Sequence, residues 1–379
     1  MRVINNVAMI LCFFPWVSFG LIEGGVQPYF LLLTGFIVFV NMLSYQSFKK
    51  EQLLYVIPVS YFLIAFLGTS DLKVLFRDFA GYLVVPVCYI FFKNYLSRYG
   101  FPRKIIIICA GISIAAGIIQ FLTFEKIFEF ITHSRTTSTR GFTGLASEPS
   151  FYGMHLVFLG ALLMFHDSRH LFMGIGIAIS GVVLSMSFMS VMFFFTVIPS
   201  VLILKDKISL KILIGIFMTL IIFIAMLPSD NRLKSLIFSF YNNGITKTID
   251  KDPSATKRFS KFYTPFYLSY ENSFLPIGRS VTDQLSYLSK SELEELPELV
   301  NYDNKIGSYS GRYFYHFGLI AILPTLFLFL YLLILGPLKY LAVFILIFIL
   351  MLFSISPLYP VIIFFLSLTF FSIKENYGR

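Results

Sequence analysis

Charge is what this sequence has least of: Asp, Glu, Lys and Arg together make up 13% of its 379 residues, against about 25% in a soluble domain. With 57% hydrophobic residues, 46 Phe and a mean hydropathy of +0.80, that scarcity excludes a soluble globular enzyme. The chain reads as a polytopic membrane protein. Cysteine is sparse as well. Cys12, Cys88 and Cys109 all lie inside apolar runs, so none stands in a polar loop where oxidation would pair it, and they read as packing residues. A cleavable leader is not indicated, because the first apolar run lacks a small-x-small cleavage site and is followed at once by another run. Internal repeats are absent too, which argues against a transporter built from two repeated halves. The formal charge of +10 does not point to nucleic acid, since the basic residues are scattered through short loops.

What is present is a series of apolar runs near the length that spans a bilayer as a helix. They cover 7–22, 28–44, 53–67, 79–92, 105–122, 151–165, 171–186, 191–204, 210–227 and 313–335, with two more in 338–373 hinged at Ser356-Pro357-Leu358-Tyr359-Pro360. The expected fold class is therefore an all-α polytopic integral membrane protein of about twelve spans. Three regions follow: membrane helices in 1–228 with an outer polar loop at 123–150, a long loop at 229–311, and final helices with a tail in 312–379. Arg2, Lys49, Lys50, Lys93, Arg98, Arg103, Lys104, Arg169, Lys205, Lys207, Lys211, Lys339, Lys374 and Arg379 fall on one side of this layout, while Lys73, Arg77, Lys126, Arg135 and Arg140 are the cations of the short loops opposite. The positive-inside rule then places both termini in the cytoplasm and both polar loops outside. In a bacterium those loops meet the periplasm, away from nucleotide sugars and ATP.

The outer loop runs into an apolar helix through Arg140-Gly141-Phe142-Thr143-Gly144-Leu145-Ala146-Ser147-Glu148-Pro149-Ser150-Phe151-Tyr152-Gly153. A carboxylate at the mouth of a membrane helix is unfavourable unless paired or facing water, so it marks a site. Proline is favoured at the first helical position, which puts Glu148 at the cap and starts the helix at Pro149. Helical spacing then sets Glu148, Tyr152 and His155 on one face. Gly141 and Gly144 let the loop fold tightly over that face, and Arg135 and Arg140 supply cations above it. The structural alternative is a capped helix with Tyr152 as an interfacial anchor.

The run R-G-F-T-G-L-A-S-E-P-S-F-Y-G resembles the Arg-Gly to Glu-Pro-Ser signature of bacterial Wzy-type O-antigen and capsule repeat-unit polymerases, as does the layout of many spans with one long outer loop late in the chain. The resemblance implies a GT-C-like membrane glycosyltransferase in the bacterial inner membrane. It implies undecaprenyl-diphosphate-linked oligosaccharide as donor and acceptor, membrane lipid around the chain, and a chain-length regulator as a possible protein partner. No nucleic acid, metal or soluble cofactor is demanded, since the diphosphate is a good leaving group and arginines can take a cation's place. Such a reaction needs a proton acceptor for the attacking hydroxyl and forked donors for the diphosphate. The catalytic candidates are Glu148, as base or as the carboxylate that positions the acceptor, and His316. The substrate-binding set is Arg135, Arg140, Tyr152, Arg258, Arg279 and Arg312, with Arg140, Arg279 and Arg312 on the diphosphate. A helix N-terminus lowers a carboxylate's pKa and burial raises it; if the dipole wins, His316 is the better proton acceptor.

Arg312 and His316 sit four apart in Gly307-Ser308-Tyr309-Ser310-Gly311-Arg312-Tyr313-Phe314-Tyr315-His316-Phe317-Gly318 and so share a helix face. Related O-antigen ligases place a histidine where this chain has Gly307, which counts against ligase chemistry. A lipid-linked oligosaccharide flippase is the competing class. His166 and His170 have the spacing of a metal pair but read as a solvated turn, and Asp250-Lys251-Asp252 reads the same way. Arg77-Asp78, at the outer start of the fourth span, reads as either an internal ion pair or a phosphate contact.

Overall fold

In a computed structural model of the chain, residues 2–17, 27–45, 50–68, 72–123, 127–132, 141–204, 263–278, 309–323 and 359–377 are described, with isolated positions between 215 and 330. The described residues are helical and include no strand. The helices are α1 (Arg2–Phe13), α2 (Tyr29–Tyr45), α3 (Val56–Gly68), α4 (Leu72–Tyr99), α5 (Arg103–Thr123), the short α6 (Glu129–Thr132), α7 (Pro149–His166), α8 (Leu171–Ser185) and α9 (Phe188–Leu204). A helix over 263–271, labelled α10, lies within the long loop. Last come α11 (Tyr309–Phe317) and α12 (Pro360–Tyr377).

Three of these, α4, α5 and α7, are long and apolar enough to cross a membrane, and shorter apolar helices accompany them, among them α1, α8 and α9. The described part of the chain is all-helical and of membrane character. The apolar run at 7–22 does not form one helix: α1 starts at Arg2 and stops at Phe13, just ahead of Pro15, whose ring cannot continue the backbone ladder. Likewise the helix expected from Tyr313 begins earlier, at Tyr309, and gives way at Gly318 to a single 3-10 turn. Gly318 has a φ of +55°, and a Cβ there would collide with the carbonyl of Phe274, so only glycine fits. The expected ninth span at 210–227 lies almost wholly outside the described residues, as does 331–358.

The chain divides into two compact units. The first comprises Met1–Gln46, Val87–Phe238 and Tyr359–Arg379; the second comprises Ser47–Pro86 and Ser239–Leu358. In the first, α7 is central: 89% of its apolar window is buried, against 39% for α5. That difference explains its composition, because a helix apolar on every side is one enclosed by neighbours. Helix α8 comes close to it through small residues. A Cβ on Gly160 would strike the Gly174 carbonyl, and one on Gly174 would strike Met164, the close backbone approach by which membrane helices pack. By contrast α5 exposes Ile108, Ile112, Ile119 and Leu122.

In the second unit, Tyr61 and Ala65 of α3, Leu75 and Tyr82 of α4, Phe317 at the end of α11 and Ala321 form one buried cluster. Helix α10 and the loop after it hold α11. Ser269 Oγ donates to the Phe314 carbonyl (3.2 Å), Ile277 N–H to the Tyr315 carbonyl (3.1 Å), and Leu319 N–H to the Phe274 carbonyl (3.0 Å). The long loop is thus in part an integral wall of this unit.

Candidate functional site

The Glu-Pro motif lies in the first unit. Helix α7 starts at Pro149, and Glu148 is its N-cap residue, extended at φ −143° and ψ 151°. The backbone N–H groups of Phe151 and Tyr152 both donate to the Glu148 carbonyl at 3.1 Å. Its carboxylate makes no capping bond to the helix, but accepts from Ser150 Oγ at 3.4 Å. Half-buried rather than enclosed, it stands at the mouth of α7.

A single side chain fixes the loop that delivers Glu148. Gln120 of α5 accepts from the backbone N–H groups of Thr143 and Gly144, both at 2.9 Å, while its amide nitrogen donates to Thr143 Oγ1 at 3.2 Å. Phe142 N–H donates to the Leu184 carbonyl at 3.0 Å, and its ring meets Phe121 edge-on. Gly144 has a φ of +51°, and a Cβ there would press on the ring of Tyr152. Tyr152 is 1% exposed, and its hydroxyl donates to the Ser113 carbonyl at 2.9 Å. The side chain therefore faces α5 and locks the loop, which differs from the exposed face expected for a substrate contact.

His155 leans the other way. Its Nδ1 shares a 3.0 Å hydrogen bond with the Tyr359 hydroxyl, and Nε2 is buried with no hydrogen-bond partner among the described residues. Trp16 stacks on Phe151 and on Tyr359, with ring centroids 5.8 and 5.2 Å away, and stands nearly perpendicular to the ring of His155. Thus Tyr152 and His155 do not form one polar face with Glu148: one braces the motif loop and the other joins an aromatic stack.

Arg312 and His316 lie in the second unit, and the structure brings them to Arg77, Asp78 and Tyr82 of α4. Asp78 is 5% exposed and Arg312 6%. The Asp78 carboxylate receives Arg77 Nε at 3.0 Å and Arg77 Nη2 at 3.4 Å, and Arg312 Nη1 lies 3.7 Å from it. The His316 ring packs on Tyr61, centroids 4.7 Å apart, and Nδ1 is 2.9 Å from the Tyr82 hydroxyl. That hydroxyl also donates to the Arg312 carbonyl at 3.1 Å. Two guanidiniums thus face one carboxylate, forked donors of the kind that match phosphate oxygens, and the His316 imidazole lies beside them.

Arg135, Arg140, Arg258 and Arg279 lie outside the described residues, as do Asp250 and Asp252. Among the described residues no group of acids, histidines or cysteines has the makings of a metal site. His166 stacks on Phe101, ring centroids 4.0 Å apart, and His170 Nε2 faces Arg103 Nη1 at 3.1 Å, so the pair does not converge. Between them, the Arg169 backbone N–H, helped by its guanidinium, holds the Asp167 carboxyl below the ordinary carboxylate range.

Sequence reading missed Gln120 and Tyr82. Gln120 offered a weak signal, a lone amide in an apolar helix; Tyr82 is one of 22 tyrosines and offered none. Compared with protein-family models, with curated proteins and with solved structures, the chain matches none of them.

Proposed function

We propose that this chain is a membrane glycosyltransferase that polymerises undecaprenyl-diphosphate-linked oligosaccharide repeat units at the periplasmic face of a bacterial inner membrane, building O-antigen or a related surface polysaccharide. The observation that supports it most is the group of Arg77 with the buried Asp78, Arg312 and His316, which joins diphosphate-type donors to a proton acceptor. The Arg-Gly to Glu-Pro-Ser resemblance and a layout of about twelve spans with a GT-C-like fold belong to the same reading.

In this reading Arg312 and Arg77 hold the leaving diphosphate, whose charge grows as the glycosidic bond breaks. The acceptor hydroxyl oxygen attacks the anomeric carbon. Its proton passes to His316 and the bonding pair leaves with the lipid diphosphate, so one displacement inverts the anomeric centre. Glu148 is the second carboxylate of the proposal, as base or as positioning group. A chain-length regulator is the protein partner.

The test is a surface-polysaccharide gel from the source bacterium with the gene deleted, then complemented. Loss of the long ladder with a single repeat left on its acceptor is the expected result, because export and ligation survive and only extension is lost. Loss of every repeat, with lipid-linked units accumulating, identifies a flippase or a ligase instead.

A further inference from the structure

Two distances to one hydroxyl decide where a proton sits. Tyr82 Oη is 3.1 Å from the Arg312 carbonyl oxygen and 2.9 Å from His316 Nδ1. A carbonyl oxygen only accepts, so the phenolic proton is directed at Arg312. A phenol has a single proton, so toward Nδ1 it offers only a lone pair, and the bond there requires Nδ1 to donate. We infer that Tyr82 holds neutral His316 in its Nδ1–H tautomer, leaves Nε2 as the basic nitrogen, and is thereby a positioning residue for proton acceptance by His316.

The surroundings keep the arrangement rigid. Arg312 and His316 are i and i+4 on α11, so the carbonyl of one and the ring of the other come to the same hydroxyl. Tyr82 is buried, with Tyr313, Phe317 and Tyr61 packed on its ring at 5.5, 5.6 and 4.8 Å between centroids. The Ser269 hydroxyl of α10 holds the carbonyl of Phe314, and the Ile277 N–H of the loop after α10 holds that of Tyr315. Nε2 makes no hydrogen bond among the described residues, whereas Nδ1 is committed. Among the described residues, the titratable and charged groups facing the ring are Tyr61 on α3, Arg77, Asp78 and Tyr82 on α4, and Arg312 and Tyr315 on α11. Free histidine favours the Nε2–H tautomer, so without this bond the basic nitrogen would be the one turned toward Tyr82.

The use of Nε2 rests on the glycosyl-transfer reading; the tautomer does not. In the reaction, the acceptor O–H proton moves to Nε2, the oxygen bonds to the anomeric carbon, and the lipid diphosphate leaves with the electron pair. His316 becomes an imidazolium with both nitrogens protonated, Nδ1 still on Tyr82.

Tautomers are read directly by nitrogen NMR of the full chain in lipid nanodiscs, labelled with ¹⁵N-histidine at alkaline pH. The chain has five histidines, so the spectrum of His316→Asn identifies the signals that belong to His316. The expected wild-type result is an amine-type Nδ1 and a pyridine-type Nε2. Tyr82→Phe keeps the ring and removes the hydroxyl. It is expected to move His316 toward Nε2–H and to lower kcat for chain extension about tenfold, a fraction of what a general base supplies, with KM unchanged. A wild-type His316 protonated at Nε2 overturns the inference, whatever the variant does. A tautomer unmoved in Tyr82→Phe, or moved with extension unaffected, removes Tyr82 as a positioning residue. The expected tautomer in a wild type that extends no chain upholds the assignment and sinks the polymerase reading.

Discussion

Arg312, on the helix that follows the long loop, lies 3.7 Å from Asp78 on α4, and both side chains are buried. Removing one partner of a buried pair strands the other charge. Asp78→Asn, which takes this buried counter-charge away from Arg312, is expected to lower stability by about 3–5 kcal/mol. Arg77 is one-third exposed at its side chain, so Arg77→Gln should cost no more than about 1 kcal/mol. Thermal unfolding in nanodiscs measures both; equal losses would contradict the burial argument.

Gln120 is the support of the motif loop. Gln120→Leu keeps the volume but leaves the Thr143 and Gly144 N–H groups without their acceptor, an expected loss of about 2–5 kcal/mol. Chain extension should fall with it, since Glu148 is delivered by that loop. A variant of wild-type stability would show that the loop has other means of support.

Tyr152 and Glu148 should separate structure from chemistry. Tyr152→Phe removes one hydrogen bond to the Ser113 carbonyl and should lower stability by about 1 kcal/mol. Its KM for lipid-linked repeat should stay that of the wild type, because the ring faces α5; a raised KM would restore Tyr152 as a substrate contact.

Glu148→Gln preserves shape and removes charge. It is expected to abolish chain extension at normal protein levels, checked by immunoblot beside the polysaccharide gel. Extension near the wild-type rate would remove Glu148 from the mechanism.

How much was legible in the sequence follows from what each signal measures. Pro149 fixed the start of α7 because its missing N–H and set φ act locally. Charges at the mouths of apolar runs, Arg77-Asp78 and Arg312, stood out because ionisable groups there are costly unless paired or facing water. Hydropathy does not register hydrogen bonds or backbone stops, so the first apolar run was drawn past Pro15 and the helix at Arg312 was drawn through Gly318. Nor does it register partners far apart in the chain. Tyr82 and His316 are 234 residues apart, and nothing local to either announces the other. Tyr152 was set on one face with Glu148 by helical spacing alone, which takes no account of the neighbour α5.

The most direct test uses the purified chain in nanodiscs with lipid-linked repeat units extracted from the deletion strain. The account predicts products of two and more repeats with release of undecaprenyl diphosphate, lost in His316→Asn and in Arg312→Gln when each is compared at matched folded protein. Unextended units, with no diphosphate lipid released by well-folded wild-type protein, would contradict it.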